Sequence, residues 1–359
     1  MQIKFNHFYR GSRLIYGYLQ SYLNNRLHIL GPLHKLAISV TGRCNSRCIT
    51  CNIWQNKPET DKEINLKDLK FLTESRLFKS VRSITLTGGE PFLRNDIADI
   101  IETLSRNTSA DIFIITNGLM PDRILSTVKD VRGRGISIDK ITLSLNGKPE
   151  THDKTRGIEG NYCKVIDTVK GLKDLGVFTS LIFTITKENC NQIEWVYDLS
   201  KELRVDINYY PEVNSYRFEN LNGERAFNEK QKDIVLKQLK NIFRKRKYYY
   251  FDDSTLYFIS RMFQNKQVCQ CHSGLQSAFI NWDGEVYACE VFNQRRFSFG
   301  NIKENMFDEI WNSNKAGEIR KYIKEGKCQP CYLACEIIQS LRKEIFPIIT
   351  YMCKRRLLG

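Results

Sequence analysis

The stretch TGRCNSRCITCNIW, residues 41–54, carries Cys44, Cys48 and Cys51 in a C-x3-C-x2-C spacing. It follows KLAISV, residues 35–40, a short apolar run that predicts a buried strand. A structural zinc site would need four Cys or His ligands, and the stretch contains no His. A cubane iron–sulfur cluster held by three thiolates would leave one iron open for chemistry. The three cysteines alone leave both interpretations open.

Five further strand-like runs follow, and helical patterns such as NDIADIIETLSR and NQIEWVYDLSKEL lie between them. Successive β-then-α units predict a parallel sheet. Ligands in such folds bind at the carboxyl ends of the strands, so the polar residues there should converge on one pocket. The five runs are SITLTG (83–88), IFIITN (112–117), KITLSL (140–145), SLIFTI (180–185) and DINYYP (206–211).

A second motif, TGGEP at residues 87–91, ends the second predicted strand. Its two glycines allow the backbone to approach a ligand closely, Glu90 supplies a carboxylate for a cationic group, and Pro91 stops the strand. Together with the three cysteines one strand earlier, this motif closely resembles the radical S-adenosylmethionine (radical SAM) superfamily. The resemblance covers roughly residues 36–215.

The resemblance implies a partial (β/α)6 TIM-like barrel that binds a [4Fe–4S] cluster together with SAM. In this interpretation the amino and carboxylate groups of SAM chelate the fourth iron, and the TGGEP motif holds the methionyl ammonium. Thr50 departs from the family, which often has an aromatic residue there, and Asn146 stands where many relatives have Asp. The implied cluster ligands are Cys44, Cys48 and Cys51, and the implied SAM contacts are Gly88, Gly89, Glu90, Pro91, Asn117, Ser144, Asn146 and Arg156.

The implied chemistry is a reductive cleavage of SAM. A one-electron donor such as flavodoxin or ferredoxin would reduce the cluster, and the 5′-deoxyadenosyl radical would then remove a hydrogen atom from the substrate. The protein has to position that hydrogen and exclude water. The sequence assigns no side chain to catalysis itself.

The C-terminal cysteines surround SAFINWDGEVYAC, residues 277–289, which predicts a hairpin with its turn at Asp283 and Gly284. The layout resembles the SPASM or shorter twitch extension of radical SAM enzymes, which holds auxiliary iron–sulfur clusters. Six cysteines are too few for two cubanes with all-cysteine ligation, so one auxiliary cluster, a [4Fe–4S], is predicted. A zinc site remains the alternative. The candidate ligands are Cys271, Cys289, Cys328, Cys331 and Cys335, with Cys269 as a further possibility.

The composition is that of a globular chain: 359 residues, 42% hydrophobic and 26% charged, without a long apolar run. Twelve cysteines, mostly clustered at 44–51 and 269–335, fit metal ligation in a reducing compartment, so a cytoplasmic protein is expected. The net charge of +15 lies in residues 1–35, 237–247 and 342–359. Such basic segments suit an acidic partner, a membrane surface or nucleic acid, and they are equally typical of solvated helices.

The predicted function is an oxidative modification, either the maturation of a peptide or the dehydrogenation of a small metabolite. One alternative is a radical SAM enzyme that acts on a lipid or membrane-bound glycoconjugate through peripheral membrane contact. The other is a metal-cluster nucleic-acid-binding protein, against which TGGEP argues. The predicted division of the chain is a basic amphipathic segment (1–35), a radical SAM barrel (36–215), a helical bridge (216–266), an auxiliary-cluster domain (267–340) and a basic amphipathic tail (341–359).

Overall fold

Six parallel strands form the main sheet, in the order β6-β5-β4-β3-β2-β1. Each strand begins within one residue of the run that predicted it, so the predicted alternation of strands and helices around a parallel sheet is confirmed. The strands are β1 (Lys35–Ser39), β2 (Ser83–Thr87), β3 (Asp111–Thr116), β4 (Lys140–Ser144), β5 (Thr179–Ile185) and β6 (Asp206–Pro211).

The computed structural model describes residues 30, 32–55, 58–220, 227–245, 253–264, 271–292 and 294–328. Most of the two predicted basic end segments, and also Cys269, Cys331 and Cys335, lie outside the described residues. Within these ranges, no helix combines the length and the apolar character that a membrane crossing requires.

Helices connect the strands, and most begin where the sequence pattern predicts. Asn65 caps the first of them with a capping box, in which its side chain accepts from the amides of Lys67 and Asp68. A short helix at residues 149–156 was not predicted, because it buries only His152 and Thr155 and so lacks an apolar stripe. The helices are α1 (Leu66–Glu74), α2 (Ile97–Asn107), α3 (Pro121–Gly133), α4 (Pro149–Arg156), α5 (Asn161–Asp174), α6 (Ile193–Glu202), α7 (Glu229–Lys245) and α8 (Asp253–Phe263).

The two faces of the sheet have different roles. On β2, Ile84 and Leu86 are fully buried in the hydrophobic core. The alternate residues Thr85 and Thr87 line an internal cavity instead. Because successive side chains of a strand point to opposite faces, each strand contributes one row to the core and one row to the cavity.

The C-terminal hairpin extends the main sheet. The strands β7 (Ser277–Ile280) and β8 (Glu285–Tyr287) are antiparallel, and Gly284 in their turn has a φ of +92°, as a hairpin turn requires. This confirms the predicted hairpin. The sequence did not predict that β7 pairs in parallel with β1, which makes one nine-stranded sheet. The short strand β9 (Gly300–Asn301) and the helices α9 (Phe307–Asn312) and α10 (Asn314–Lys324) complete the described part.

The contribution of burial to stability can be tested with two phenylalanines, Phe183 in β5 and Phe178 just before it. Phe183 is fully buried and lies 6.0 Å from the ring of Tyr209, whereas Phe178 is 56% exposed. Phe183→Ala should lower the free energy of unfolding by about 3–5 kcal/mol, and Phe178→Ala should change it by about 0.5 kcal/mol or less. Urea midpoints followed by far-UV circular dichroism measure both changes, and equal shifts would contradict this account of the core.

Candidate active site

The cysteine stretch and the TGGEP turn are joined backbone to backbone. The amide of Gly89 donates to the carbonyl of Thr41 at 2.8 Å, and the amide of Glu90 donates to that of Arg43 at 2.8 Å. A Cβ on Gly89 would lie 2.0 Å from the Arg43 oxygen, closer than any real contact allows. Gly88 has a φ of +146° in addition. Both glycines are therefore needed for the close approach of the two loops.

A buried carboxylate that the sequence did not indicate supports the start of the cysteine stretch. Glu63 accepts hydrogen bonds from the Thr41 hydroxyl at 2.5 Å, from the Gly42 amide at 3.0 Å and from the Arg43 guanidinium at 3.2 Å. Arg94 is buried beside it and donates to the carbonyl of Val40 at 2.9 Å. These contacts fix the backbone immediately before Cys44. No local motif marks Glu63, because its partners lie 20 to 22 residues earlier in the sequence.

Glu90 is fully buried and does not line the internal cavity. Its carboxylate accepts from the Thr116 hydroxyl at 2.8 Å, from the Asn117 amide at 2.7 Å and from the Phe92 amide at 3.2 Å. Burial raises the pKa of this carboxyl, although the three hydrogen bonds oppose the shift. Glu90 thus holds the end of β3 against the TGGEP turn, and its contact with the methionyl ammonium stays a prediction.

One cavity of about 360 Å³ gathers most of the residues that the sequence singled out. The cavity begins at the cysteine stretch and reaches the amino ends of β1 and β4, and its walls include alternate residues of all six parallel strands. Pro91 is buried and does not line it, nor do Glu90 and Asn146. The residues predicted from the sequence that do line it are Cys44, Cys48, Cys51, Gly88, Gly89, Asn117, Ser144 and Arg156.

Burial of Cys44 and Cys51 disfavours their charged thiolate form unless a cation is bound. Burial raises the pKa of Cys44 to about 12, and the charge of Glu90 adds to the shift. Burial also raises the pKa of Cys51 to about 11. Cysteine binds a metal as the thiolate, so iron that binds here must displace the thiol protons. The positive charge of the iron then compensates the negative charge that burial disfavours. Three cavity-lining thiols beside an open glycine turn fit a cluster with one free iron.

The described residues hold no three His, Cys, Asp or Glu side chains grouped as for a single metal ion. A cubane carries each thiolate on a different iron, so its ligands need not meet at one point.

Asn117 lies against the cysteine stretch. Its side-chain amide donates to Asn45 Oδ1 at 2.7 Å and approaches Cys44 Sγ at 3.9 Å.

Asn146 lies just behind the cavity wall and is held by a buried histidine. Its amide donates to His152 Nδ1 at 2.9 Å, and its own backbone carbonyl accepts from Asn189 at 3.0 Å. Burial, followed by the charge of Arg156, lowers the pKa of His152 to about 3. Arg156 lines the cavity, and its Nε is buried without a hydrogen-bond partner in the described ranges. The ribose and carboxylate contacts predicted for Asn146 and Arg156 stay predictions.

A segment after β6 joins the cysteine stretch, a second link that the sequence did not indicate. The amide of Asn52 donates to the carbonyl of Phe218 at 2.8 Å, and the side chain of Asn220 donates to the carbonyl of Thr50 at 2.8 Å. Thr50, which departs from the family pattern, lines the cavity. Its backbone carbonyl holds this segment in place through the hydrogen bond from Asn220. We call residues 213–220 the post-β6 segment.

The post-β6 segment also joins the C-terminal hairpin. Arg217 is 6% exposed, forms an ion pair with Glu290 and donates to the Thr87 hydroxyl at 3.2 Å. Its guanidinium carbon lies 4.8 Å from the ring centroid of Phe279 on β7. Both Arg217 and Glu290 line the cavity. Because Glu290 directly follows Cys289, the C-terminal region forms part of the cavity wall.

Three of the auxiliary-cluster candidates lie in the described part of the chain. Cys289 is buried, and Cys271 and Cys328 are half-buried against the same hydrophobic core. Burial raises the pKa of Cys328, and the charge of Cys271 adds to the shift. Cys331 and Cys335 lie outside the described residues, as does Cys269.

A second cavity, of about 660 Å³, lies on the other side of the post-β6 segment. Tyr216 and Glu219 line it, whereas their neighbours Arg217 and Phe218 line the first cavity. Trp282 and Tyr287 of the hairpin also line this second cavity, together with charged residues of both signs. We call this cavity the outer groove.

Two family models match the chain. Residues 38–200 match a family described as the radical SAM superfamily, and residues 269–335 match one described as an iron-sulfur cluster-binding domain, named SPASM. Together the matched ranges include every cysteine assigned above to either cluster.

Curated relatives share about a quarter of the residues. One is the Fe-coproporphyrin III synthase of Methanosarcina barkeri, 27% identical over 310 residues that cover 80% of this chain and 76% of the relative. Another is the antilisterial bacteriocin subtilosin biosynthesis protein AlbA of Bacillus subtilis, 25% identical over 79% of this chain. The match spans 60% of AlbA.

Solved structures share the fold. Native anSMEcpe with bound AdoMet superposes with a TM-score of 0.64 at 18% identity, covering 89% of this chain and 99% of that one. Streptococcus suis SuiB bound to S-adenosylmethionine superposes with a TM-score of 0.64 at 14% identity, covering 83% and 70%. The expected partial barrel with a C-terminal extension is confirmed.

Gly89→Ala tests the close approach of the two loops. The new Cβ meets the Arg43 backbone, so the loops must separate, and we expect loss of most of the bound iron and of SAM binding. Gly133→Ala at the end of α3 is the matched control, because an added Cβ there meets nothing within 4 Å. Iron analysis and equilibrium dialysis with labelled SAM after anaerobic reconstitution measure both properties. Normal values for Gly89→Ala would refute the steric argument.

His152 should make the stability of the metal-free protein depend on pH. Its folded pKa of about 3 lies below the ordinary 6.5, so the unfolded chain binds the proton first as the pH falls. Stability is therefore complete above about pH 6.5 and is lost toward pH 3. Between pH 7 and pH 5, the free energy of unfolding should fall by about 2 kcal/mol more in the unmodified protein than in His152→Gln. Parallel pH profiles of the urea midpoints would show that His152 is not buried in its neutral form.

Proposed function

We propose that this chain, a radical SAM enzyme with a C-terminal SPASM extension, oxidatively modifies a peptide or small-molecule substrate inside the 360 Å³ cavity. One observation carries the proposal. The three cysteines of the SAM-binding motif and Glu290, which directly follows Cys289, line the same cavity. A substrate in this cavity would therefore lie between the site of SAM cleavage and the auxiliary-cluster domain.

The SAM site would be built on the joined loops. Cys44, Cys48 and Cys51 would hold the [4Fe–4S] cluster, and the backbone of Gly88 and Gly89 would receive the methionyl group. When bound, cluster and SAM supply a one-electron cleavage that yields methionine and a 5′-deoxyadenosyl radical. The chain's own contribution is geometric. Glu63 and Glu90 fix the two loops from behind, so that the cavity wall does not need to rearrange when the cofactors bind.

The oxidation can be written as a balanced sequence. A substrate C–H bond breaks and its hydrogen atom forms the new C–H bond of 5′-deoxyadenosine. The substrate would then give up one further electron and one proton, and an auxiliary cluster held by C-terminal cysteines such as Cys271 and Cys289 would supply the electron acceptor. The substrate is thus oxidised by two electrons, one removed with the hydrogen atom and one passed to the cluster. The position of Glu290 in the cavity wall, beside Cys289, supports this role for the auxiliary cluster.

A peptide is the first candidate substrate. The outer groove and the cavity share the post-β6 segment as a wall, since Tyr216 and Glu219 line the groove and Arg217 and Phe218 line the cavity. An extended chain could rest on Tyr216 and Trp282 in the groove while a neighbouring residue enters the cavity. The relative AlbA acts in bacteriocin biosynthesis, which agrees with this class. A small metabolite is the second candidate, since the other relative is an Fe-coproporphyrin III synthase.

The remaining alternatives have less support. Action on a lipid or membrane-bound glycoconjugate was inferred from the basic ends, most of which lie outside the described residues, so no described contact speaks for it. Nucleic-acid binding does not explain why the motif cysteines line an internal cavity. A flavodoxin or ferredoxin as electron donor stays a proposal. Vesicle flotation at low and high salt would test the membrane alternative directly.

Cysteine variants should separate the two clusters. Cys48→Ala should abolish the dithionite-dependent formation of 5′-deoxyadenosine, because it removes one of the three ligands of the SAM-binding cluster. Cys289→Ala should retain SAM cleavage and lose the oxidised product, because Cys289 lies outside the SAM site. Cys163→Ala, an exposed cysteine on α5, is the matched control. Anaerobic assays with liquid chromatography and mass spectrometry measure both products.

Two results would overturn the proposal. If the unmodified, reconstituted protein formed no 5′-deoxyadenosine, the chain would not be a SAM-cleaving enzyme. If Cys289→Ala abolished SAM cleavage while its SAM-binding cluster remained intact by electron paramagnetic resonance, the proposed division of labour between the clusters would be wrong.

A further inference from the structure

The short helix α4 gives the cysteine stretch a further support. The carbonyl of Arg156, at the end of α4, accepts from the amide of Arg47 at 2.9 Å and from the Ser46 hydroxyl at 3.4 Å. The carbonyl of Thr155 accepts from the amide of Ile49 at 3.0 Å. The last carbonyls of a helix have no partner within the helix, so these hydrogen bonds satisfy groups that would otherwise need water. They fix the backbone on both sides of the second cysteine of the motif.

The contact between α4 and the cysteine stretch is close. Gly157 directly follows α4, and a Cβ there would lie 2.3 Å from the carbonyl oxygen of Arg47. Only a residue without a Cβ allows the two backbones to approach in this way. We therefore expect the end of α4 and the cysteine stretch to move together, because a shift of one breaks the hydrogen bonds of the other.

His152 joins the middle of α4 to the turn after β4. Its side chain is fully buried, and its Nδ1 accepts from the backbone amide of Asn146 at 2.9 Å. A ring nitrogen that accepts a hydrogen bond carries no proton, so the imidazole is neutral and holds its proton on Nε2. The lowered pKa of His152 agrees with a neutral ring. The group that His152 supplies here is therefore a hydrogen-bond acceptor.

The loop after β5 holds the same region from another side. The side chain of Asn189 donates to the carbonyl of Asn146 at 3.0 Å. Gln192 accepts from the amide of Lys148 at 2.7 Å and donates to the Thr151 hydroxyl at 2.8 Å. The start of α4 is thus anchored to the loop after β5, its middle to the turn after β4, and its end to the cysteine stretch.

Three cavity-lining residues depend on this arrangement. Arg156 lies one turn after His152 on α4, and Cys48 lies between the two amides that the end of α4 binds. Ser144 also lines the cavity and ends β4, just before the turn that contains Asn146. Without an acceptor on His152, the buried amide of Asn146 would lose its partner, which is unfavourable. The turn and α4 would then have to shift to satisfy that amide.

We propose that His152 is a positioning residue for SAM. Its Nδ1 holds α4 against the turn after β4, so that Arg156 and the cysteine stretch keep the geometry in which SAM binds. This inference rests on the proposed function, because it takes this end of the cavity to be the SAM site. Its consequence is a requirement for a neutral hydrogen-bond acceptor at the position of Nδ1.

The first test is SAM binding without turnover. The full-length protein is reconstituted anaerobically and dialysed to equilibrium against labelled SAM without reductant. His152→Leu fills a similar volume without an acceptor, and its dissociation constant for SAM should rise by about tenfold. His152→Asn carries an amide oxygen on Cγ, where His152 carries Nδ1, and should restore the affinity of the unmodified protein.

Leu104→Ala is the matched control for lost stability. Leu104 is fully buried on α2 and does not line the cavity, so this variant should be less stable and should bind SAM normally. An unchanged affinity of His152→Leu for SAM would overturn the proposal. Equally weak binding by His152→Leu and His152→Asn would do the same, because the acceptor would then not be what matters.

A second test follows α4 itself and needs neither iron nor SAM. In the full-length protein before reconstitution, amide hydrogen exchange measured by mass spectrometry should be faster in His152→Leu for peptides that contain Arg47 and Ile49. These amides bond to the end of α4, so their exchange reports whether the loss at His152 reaches the cysteine stretch. His152→Asn should restore slow exchange, and Leu104→Ala should leave it unchanged.

Unchanged exchange of these amides in His152→Leu would show that α4 does not transmit the effect, and would overturn the proposal even if the variant took up no iron. Neither test depends on SAM cleavage. Failure of the unmodified protein to form 5′-deoxyadenosine would refute the proposed function, whereas normal SAM affinity of His152→Leu would refute this positioning role alone.

Discussion

Two backbone hydrogen bonds, from Gly89 to Thr41 and from Glu90 to Arg43, are the contact on which the site depends. They bring the turn after β2 against the backbone that leads to Cys44. No side chain larger than hydrogen fits at Gly89, since the Arg43 oxygen would be 2.0 Å from its Cβ. Glu63 and Glu90 complete the arrangement from behind the loops, each through three hydrogen bonds to neighbouring groups. The cysteines are thus presented by backbone that is fixed on both sides.

Strand β1 connects the two cysteine-bearing regions. It pairs with β2 on one edge and with β7 of the C-terminal hairpin on the other, so both regions share one sheet. Arg217 adds a side-chain connection, because it contacts Thr87 of β2, Phe279 of β7 and Glu290 after β8. A cavity wall built from both regions follows from this pairing. The proposed transfer of an electron from the substrate to the auxiliary cluster relies on it.

The two faces of the parallel sheet have separate roles. The outward rows of the strands, such as Ile84 and Leu86 on β2, supply the hydrophobic core against the helices. The inward rows line the cavity and mix polar side chains such as Thr85 with apolar ones such as Ile182. Under the proposed function, the inward face is where a substrate would bind.

The sequence by itself determined the order of the strands and helices, the hairpin turn at Asp283 and Gly284, and the two cysteine motifs, because each depends on a local pattern of periodicity or spacing. It also indicated Gly88 and Gly89, since TGGEP ends the strand that follows the three-cysteine motif. Only the tertiary structure decided that β7 joins β1, that Glu90 does not line the cavity, and that Glu63 and Arg217 take part in the site. These features depend on contacts between residues that are far apart in the chain. A lone charged residue carries no local signal of which partner it will meet, and the folded sheet supplies that partner.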